Sequence, residues 1–471
     1  METTARTKEQ IRASLETMRK DNLAAAETLI DSVTDCVVLT EYRSLAEEKD
    51  GRILWTTPLQ RALQEHSVVV IPASADIYWI DDTVVIPSNR HIEATGAIIR
   101  LTPDCEVLLL RNEHTADGTY FPIQTGREDR NISIHGGSWE ESHTKRGGYG
   151  QSGRYTHFAQ DVPGERRPFY GVSTCMLFNN IIGLTIRDAN FAHAAGFGVQ
   201  VGNLTNGVFE NITFESCYAD GLHINGNSEN LYVKNIRGEV GDDLVALNMY
   251  DWQNSSVTFG NTKNVLCEEL HLAPESRYKA LRIEPGVYTY QDDTEVDCGL
   301  YDAIISHVTG IMTFKMYFQT PVYRIGEAPE RGGVGSSDNL FFEHITIDLA
   351  GPIDAFPAYE NSDPIRGHFA AFELGSHIGH VTFEHIDLTL HWDKYPLSHL
   401  VTIGPKSIRS GDREVFDPYL TSHVGTVTLS DVRVCGEAVQ DDSLVYVTSF
   451  DDINSDGNST GRGTVDNVVW R

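Results

Sequence analysis

The stretch VFENITFESCYADGLHINGNSENLYVKNIRGEVGDDLVALN (residues 208–248) contains one short pattern twice. VFENI (208–212) is followed 24 residues later by YVKNI (232–236), and in both copies apolar residues and one charged residue precede an asparagine. A β-strand that ends in a polar turn and recurs every ~20–30 residues is typical of a solenoid. The pattern therefore predicts coils that stack on one another, each pairing its strand with the same strand of the next coil.

The same pattern continues on both sides of this stretch. TIRDA (185–189) lies 23 residues upstream, and the later copies are 34 to 46 residues apart, which implies loop insertions between coils. From about residue 58, short runs of β-forming residues alternate with Pro, Gly, Asn and Asp. We therefore predict an all-β, single-domain fold, a right-handed parallel β-helix over residues 58–471. The later copies are LCEEL (266–270), IISHV (304–308), FFEHI (341–345), TFEHI (382–386) and TLSDV (428–432), and the early strands are 68–72, 78–80, 83–87 and 91–93.

The polar residue of each copy is predicted to form a ladder of turn residues. Coils that stack in register place equivalent side chains directly above one another. Three of these residues are histidines, but they occupy one structural position in successive coils, which favours the ladder over a metal site. The predicted ladder consists of Asn211, Asn235, His307, His344, His385 and Asp431.

Residues 1–57 are predicted to form an N-terminal α-helical cap and lead-in. Apolar residues between positions 8 and 34 recur at helical spacing among Lys, Glu and Arg, which predicts one or two amphipathic helices. Because the terminal edge of a stack of sheets has to be blocked, we expect these helices to cover the open end. A contact between two copies of the chain, giving a homo-oligomer, is the alternative. The apolar positions are Ile11, Leu15, Met18, Leu23, Leu29, Ile30 and Val33.

The chain is strongly acidic, with 37 Lys and Arg against 67 Asp and Glu and a formal net charge of −30. Such a field repels phosphate backbones and anionic membranes, so neither nucleic acid nor a membrane is an expected partner. The N-terminal residues lack the basic and apolar regions of an export signal. Seven cysteines are dispersed without CxxC pairs, which favours reduced thiols. These features predict a cytoplasmic protein.

One acidic cluster is predicted to carry the chemistry. Asp220 lies 22 and 23 residues before Asp242 and Asp243, which is one coil. In a parallel β-helix the three carboxylates would lie side by side, near the ~4.8 Å spacing of neighbouring strands. Carboxylates at such a short distance from one another do not ionise independently, so at least one of them should keep its proton at neutral pH.

A protonated carboxyl beside an ionised one is the combination that glycoside hydrolysis needs. The first protonates the leaving oxygen, and the second activates water or attacks the anomeric carbon. Two other interpretations remain open, because Asp-Gly and Gly-Asp-Asp are common turn sequences and three carboxylates are typical ligands of Ca²⁺. The one-coil spacing favours catalysis, without a metal or another cofactor.

Residues 130–290 resemble the polygalacturonases, family 28 of the glycoside hydrolases, within the pectin-lyase-like β-helix superfamily. DRNISIHGGSWE (129–140) is similar to a strand and glycine turn of that family, the Asp220 and Asp242-Asp243 segments are similar to its paired motifs, and KALRIEPG (279–286) is similar to its Arg-Ile-Lys segment. The resemblance implies an inverting mechanism in which Asp242 is the general acid and Asp220 with Asp243 position and deprotonate the water.

Three positions depart from the family pattern. Tyr218 replaces an Asn, SSVTFGNTKN (255–264) stands where a Gly-His-Gly is expected, and Glu284 replaces the Lys of Arg-Ile-Lys. In the family, this Lys looks like a clamp for the carboxylate of a uronic acid. Glu284 would repel such a carboxylate. Together with the net charge of −30, this favours a neutral or hydroxyl-rich oligosaccharide over polygalacturonate.

Four residues are predicted to bind the substrate. Arg282 is expected to donate to the sugar and Glu284 to accept from its hydroxyls, with an ion pair between the two as the alternative. His223 is expected to contact the substrate or to hold an Asp in its protonation state, or else to be an ordinary surface histidine. Trp252 is expected to stack on a sugar, with loop packing as the alternative.

The sequence thus predicts a glycosidase, a hydrolase of O-glycosyl bonds. It would act from the ends of an oligosaccharide, in a pocket closed by the insertions at 250–262, 285–300 and 350–368. β-Helix polysaccharide lyases, epimerases and fructan-type transferases are alternatives, because fold alone does not decide function. A non-catalytic carbohydrate-binding β-helix is a further alternative, which predicts binding without turnover.

Overall fold

The protein is a right-handed parallel β-helix, as predicted. Strands pair in parallel with strands one coil away, and within the described residues 29 strands belong to one continuous sheet. The computed structural model describes residues 6–31, 35–103, 105, 107–115, 127–141, 174–250, 256–274, 276, 279–289, 295–311, 314–316, 334–349, 367–405, 421–453 and 460–471.

The elements follow one another in chain order, and the longest strands run across the corners of the coil. The helices are α1 (Lys8–Ile30) and α2 (Thr56–Glu65), with 3₁₀ turns at Leu39–Leu45 and Asp442–Leu444. The first strands are β1 (Cys36–Val38), β2 (Glu47–Lys49), β3 (Arg52–Leu54), β4 (Val68–Val70), β5 (Tyr78–Ile80), β6 (Val84–Ile86), β7 (Arg90–Glu93), β8 (Ile98–Leu101), β9 (Leu110–Asn112), β10 (Asp129–His135) and β11 (Ser138–Glu140). The central strands are β12 (Thr174–Arg187), β13 (Asn190–Ala192), β14 (Phe197–Cys217), β15 (Leu222–Asn225), β16 (Ser228–Val240), β17 (Val245–Asn248), β18 (Thr262–Leu272), β19 (Leu281–Glu284), β20 (Gly286–Thr289), β21 (Glu295–Cys298) and β22 (Leu300–Ile311). The last strands are β23 (Phe314–Met316), β24 (Ser336–Asp348), β25 (Phe369–Leu374), β26 (His377–Thr389), β27 (Ser398–Ile403), β28 (Thr421–Val434), β29 (Glu437–Ala438), β30 (Val445–Val447) and β31 (Arg462–Trp470).

The strand register confirms the repeat read from the sequence. Val208 pairs with Tyr232, which pairs with Leu266 of the next coil. The second residue of each copy points inward, so Phe209 and its equivalents are buried in one apolar column. Burial of such columns, at roughly 25 cal/mol per Å² of apolar surface, is the main stabilising contribution expected for the fold. The inward column contains Phe209, Val233, Cys267, Ile305, Phe342, Phe383 and Leu429.

The turn ladder is also confirmed. Its six residues have positive φ angles of 46° to 57°, a left-handed conformation that short polar side chains tolerate better than most. Asn235 donates to Asn211 at 2.7 Å, and Asn211 donates to Asp188 at 2.9 Å. Further along, His307, His344 and His385 stack with ring centroids 4.8 and 4.6 Å apart. The polar residue was therefore selected by the backbone conformation of the turn.

The N-terminal cap is formed by α2, and the expected position of the first helix has to be corrected. Leu59 and Leu63 of α2 are buried in the main core beside β4 and β6. This packing closes the N-terminal end of the β-helix. In contrast, α1 lies along the outside of the coils, with Ile11 and Leu15 buried against outward apolar residues of β14, β16, β18 and β22. Strand pairing also begins early, since β1 already pairs with β4.

Charged residues fasten α1 to this outer surface. Lys8 lies 2.6 Å from Glu343 and 2.7 Å from Glu384, and Arg19 lies 2.7 Å from Glu210. A row of outward apolar residues crosses several coils at this place, and a helix that covers it removes that surface from water. None of the helices in the described part of the chain is both long and apolar enough to span a bilayer.

A second column of strands forms what we call the site face. It contains β15, β17 and β19, which pair in parallel so that residues of the three strands lie in rows. His223 is in one row with Ala246 and Arg282, and Asn225 is in the next outward row with Asn248 and Glu284. The corner just before these strands carries the acidic cluster.

Candidate active site

The structure brings the three predicted carboxylates together at one corner. Asp220 immediately precedes the turn into β15, and Asp242 and Asp243 occupy the same corner one coil later. Backbone hydrogen bonds set the alignment, from Gly221 N–H to the Asp243 carbonyl at 2.9 Å and from Leu222 N–H to the Leu244 carbonyl at 3.0 Å. One oxygen from each of the three carboxylates lies within 4.8 Å of the others, so the predicted proximity is confirmed.

Burial makes this proximity electrostatically costly. The exposed fractions are 2% for Asp220, 6% for Asp242 and 0% for Asp243. Burial raises the pKa of Asp243 well above its ordinary value, the neighbouring Asp242 raises it further, and the positive charges of Arg282 and Lys279 offset only part of this. Neither oxygen of Asp243 accepts a hydrogen bond from the described residues. The surroundings of Asp243 therefore favour its protonated form, the direction that the spacing predicts for at least one carboxyl.

Asp220 is also buried, but both of its oxygens have hydrogen-bond partners. The backbone N–H of Asp243 donates to its Oδ1 at 3.0 Å, and His223 Nδ1 lies 2.6 Å from its Oδ2. His223 itself is fully buried and stacked on Phe197 at 4.0 Å, so its contact is with the carboxylate. Of its three predicted roles, the one directed at an Asp agrees with this geometry, and a surface position does not.

Arg282 and Glu284 form an ion pair on β19, the alternative that the sequence left open. Arg282 Nη2 contacts Glu284 Oε1, and its Nη1 lies 3.5 Å from Asp243 and 4.0 Å from Asp242. Arg282 is 8% exposed and Glu284 1%. The guanidinium thus bridges the acidic corner and Glu284, and these neighbouring carboxylates balance its positive charge.

A second cation, Lys279, was missed by the sequence analysis. Its backbone carbonyl accepts from the Leu244 N–H at 2.9 Å, which places Lys279 one coil beyond Asp243, and its side chain is fully buried. The signal was available in KALRIEPG, but the insertion between β17 and β19 hides the coil spacing. Four acidic residues and two basic residues therefore meet at this corner: Asp220, Asp242, Asp243, Glu284, Arg282 and Lys279.

These cations also bear on the calcium interpretation. A calcium site needs six to eight oxygen ligands. Here Arg282 already lies beside Asp242 and Asp243, and its guanidinium would repel a second positive charge. The donor set thus fits proton chemistry better than a divalent cation.

Part of the insertion after β17 lies across the site face. Trp252 falls outside the described residues, but 256–258 are buried on β15 and its upstream neighbours. Val257 N–H donates to Asn225 Oδ1 at 3.1 Å, and Thr258 Oγ1 donates to the Gly226 carbonyl at 2.8 Å. Val257 also belongs to a small buried apolar cluster with Leu177, which lies two coils upstream of β15. We refer to residues 256–258 as the covering segment.

Proteins similar to this chain are found among solved structures. No protein-family model and no curated protein sequence matches the chain. Among solved structures, the chain is similar to a hyperthermoactive exopolygalacturonase from Thermotoga maritima, with a TM-score of 0.47 and 11% identity over 93% of this chain and 91% of that one. It is also similar to the surface adhesin PfbA of Streptococcus pneumoniae (TM-score 0.42, 10% identity, 92% and 99% covered) and to the catalytic domain of a GH87 α-1,3-glucanase in complex with nigerose (0.43, 12%, 88% and 64%).

One of these structures is thus an exopolygalacturonase and another is an adhesin.

Proposed function

We propose that the protein is a glycoside hydrolase whose acidic corner cleaves a glycosidic bond in an oligosaccharide. The observation that carries this proposal is a contrast in hydrogen bonding within 4.8 Å: Asp243 is buried with no hydrogen-bond donor among the described residues, whereas Asp220 has a partner on each oxygen. Carboxyl groups whose surroundings drive their protonation states apart are the usual source of an acid and a base in one site.

The roles follow from these environments. The Asp242–Asp243 pair shares a proton, and Asp242, the more exposed of the two, delivers it to the leaving oxygen. Asp220 then accepts a proton from the attacking water, which bonds to the anomeric carbon as the glycosidic bond breaks. The family resemblance implied that Asp243, together with Asp220, positions and deprotonates the water. Its raised pKa instead supports the donor side, because a carboxyl that already holds a proton does not accept another.

Inversion is the stereochemical outcome that this scheme implies. In most inverting enzymes the two carboxyl groups are roughly 6.5–9.5 Å apart, with the water between them, and the oxygens here are closer. The attacking water would therefore lie beside the pair. Proton NMR of the first-formed anomer tests this point, and retention would assign a nucleophile role to one of the carboxylates.

A neutral, hydroxyl-rich sugar is the proposed substrate class. A uronic acid needs an unmatched cation, but Arg282 is paired with Glu284 and Lys279 is fully buried. The four acids outnumber the two bases at the corner, which adds repulsion against a second carboxylate. The same burial disfavours a lyase, which needs an accessible Lys or Arg base.

The covering segment supports action from chain ends. It lies over the site face on the upstream side of Asp220, where a long polymer would otherwise continue. Gly202 makes room for it, because a Cβ there would lie 2.4 Å from Thr258 Oγ1 and 2.7 Å from Val257 Cγ2. Gly202→Ala should displace the segment and raise the share of internal bonds cleaved. Internal cleavage by the wild type would contradict the exo proposal.

The test is a screen of aryl glycosides and neutral oligosaccharides with wild type, Asp242→Asn and Asp188→Asn. Asp188 accepts from Asn211 in the turn ladder, so its variant makes the same chemical change away from the corner. We expect turnover by wild type and Asp188→Asn, and its loss in Asp242→Asn. Binding without turnover by all three would instead support a carbohydrate-binding protein, and products absorbing in the ultraviolet would support a lyase.

A further inference from the structure

A buried carboxyl lies two coils upstream of Asp220. Glu141 directly follows β11, and its backbone N–H donates to the Ala192 carbonyl of the next coil at 3.1 Å. Its side chain is 1% exposed. Oε2 accepts from the backbone N–H of Ala195, and Oε1 has no hydrogen-bond partner among the described residues. The proposed reaction does not use this group, although burying a carboxyl costs free energy.

The backbone that Glu141 contacts leads directly to Asp220. Residues 194–199, which we call the bridging segment, form the corner of the coil between the two. Phe197 of this segment stacks on His223, whose Nδ1 lies 2.6 Å from Asp220 Oδ2. Four backbone hydrogen bonds of 2.9 to 3.0 Å also join the segment to the residues around Asp220. They run from Tyr218 N–H to the Ala194 carbonyl, from Ala219 N–H to the Gly196 carbonyl, from Gly198 N–H to the Asp220 carbonyl and from Val199 N–H to the Gly221 carbonyl.

The coils are packed too closely here to absorb a displacement. A Cβ on Gly198 would lie 2.9 Å from the carbonyl oxygen of Gly221 and 2.4 Å from Phe214 Cε1. A Cβ on Gly221 would in turn lie 2.6 Å from the carbonyl oxygen of Leu244. Because close-packed groups transmit strain, a shift of the bridging segment would move the backbone of Asp220.

The Ala195 N–H has a different kind of acceptor from its neighbours at this corner. One coil later, the N–H groups of Tyr218 and Ala219 donate to backbone carbonyls of the bridging segment. The Ala195 N–H donates to a side chain, that of Glu141. Glu141 thus supplies the acceptor that the backbone supplies one coil later, and a buried N–H that lost this acceptor would be costly.

We propose that Glu141 is a positioning residue, which fixes the bridging segment through Ala195 and so holds Asp220 in the place that the reaction requires. The base role of Asp220 rests on the proposed function, whereas the contacts from Glu141 to Asp220 do not. Glu141 acts in its protonated form, whose carbonyl oxygen accepts from Ala195. Once ionised, it would be a buried charge with a single donor, and it would reach water only by opening the corner.

Burial agrees with this protonated form. It raises the pKa of Glu141 to about 8, and the hydrogen bond from the Ala195 N–H offsets part of the rise. The folded pKa thus lies above the ordinary value of 4.5, so the contribution of the carboxyl to stability is complete below about pH 4.5. It is lost as the pH rises through about 8, and the corner should loosen in that range.

The ionisable neighbours of this carboxyl do not carry an unmatched charge. Cys175 on β12 interacts with it, and with Cys217 and Glu140, and burial raises the pKa of the Cys175 thiol well above its ordinary value. Glu140 accepts from Arg100 Nε at 2.6 Å. His193, in the turn before the bridging segment, is exposed.

The test compares the full-length wild type with Glu141→Gln and Glu141→Leu. Gln keeps an acceptor for Ala195 without an ionisation, and Leu removes both. Amide hydrogen exchange at pH 7, read by mass spectrometry, should be slow in 194–199 and 218–222 for the wild type and Glu141→Gln, and faster in both stretches for Glu141→Leu. Glu140→Leu is the matched control, since Glu140 is buried on the same strand but contacts Arg100 and Ser138, and it should leave both stretches slow.

Kinetics separate positioning from a purely structural role. Glu141→Leu should lower kcat by up to about 10²-fold, the loss expected when a reacting group is misplaced by about 1 Å, with a smaller change in KM. Glu141→Gln should restore kcat at pH 6. The ratio of kcat in Glu141→Gln to kcat in the wild type should then rise as the pH passes about 8, because the ratio cancels every ionisation that the two proteins share.

Two outcomes overturn the positioning role. One is a Glu141→Leu variant with unchanged exchange in 218–222 and unchanged kcat, and the other is a kcat ratio that stays flat from pH 6 to 9. If Glu141→Leu does not fold, the ratio between Glu141→Gln and the wild type still decides. Failure of the glycosidase proposal would look different, with no turnover of any sugar by the wild type while the exchange pattern is as expected.

Discussion

The turn ladder and the acidic corner are both columns of polar residues stacked one coil apart, yet they differ in how their charges are arranged. In the ladder, Asn235 and Asn211 each donate to the asparagine or aspartate one coil before them, and the histidines stack ring on ring. In the corner, one oxygen of each of the three carboxylates lies within 4.8 Å of the others, and Asp243 has no hydrogen-bond donor among the described residues. One strand register thus produces a column of hydrogen-bonded side chains at one turn and a cluster of closely spaced, buried acids at another.

The largest expected effect is on catalysis at the corner. Asp220→Asn removes the proposed base while its Oδ1 can still accept from the Asp243 N–H, so kcat should fall by about 10²–10⁴ with the fold retained. The ladder counterpart Asn211→Asp should leave kcat within a factor of two. Steady-state kinetics with circular dichroism on both variants checks this, and equal losses in the two would erase the distinction between the columns.

The next effect is on the pH dependence of stability. The folded pKa of Asp243 is raised above its unfolded value, so its contribution to stability is complete below about pH 3.8 and is lost as the pH rises through the folded pKa. Asp243→Asn should therefore be more stable than wild type at pH 8, and the two should have similar stability near pH 4. Urea unfolding at both pH values measures the difference. A variant that is less stable at pH 8 would show that the corner is not strained.

A smaller effect is expected from the ladder itself. Asn235→Ala removes the bond to Asn211 at a turn with φ of 52°, and should lower the free energy of unfolding by about 1 kcal/mol. Asn235→Gly loses the same bond but relieves the backbone, so it should be the more stable of the two. Reversal of that order in urea unfolding would mean that the turn conformation is not what selects the residue.

The smallest effect concerns the histidines of the ladder. Burial and the adjacent His307 and His385 lower the pKa of His344, so the folded state disfavours its protonated form and stability should fall as the pH drops below about 6.5. His344→Asn should reduce this acid sensitivity, opposite in direction to the effect at Asp243. Thermal unfolding between pH 5 and 8 checks it, and an unchanged slope would remove the electrostatic account of the stack.

Much of the fold was predictable because its register repeats in the sequence. VFENI and YVKNI gave the coil, and the same period placed Asp220 beside Asp242 and Asp243. The position of α1 was also encoded, since Val208, Tyr232, Leu266 and Ile304 are apolar at an outward position, but the expectation of a terminal cap obscured it.

The support of the site was not predictable in the same way. The covering segment lies within the insertion that follows β17, and Lys279 comes after it, so neither can be placed by counting coils. Asn225 accepts a hydrogen bond from Val257, a contact 32 residues away that no local pattern encodes.

The shared proton at the corner is the claim on which the account depends, and infrared difference spectroscopy measures it directly. Glu141 is also buried, with its pKa raised to about 8, so the spectrum of Asp243→Asn has to be subtracted from that of the wild type at pH 7 to cancel the Glu141 band. The account predicts a residual carboxylic acid C=O band in that difference. A difference that contains only carboxylate bands would mean that Asp243 is ionised, and would contradict the account.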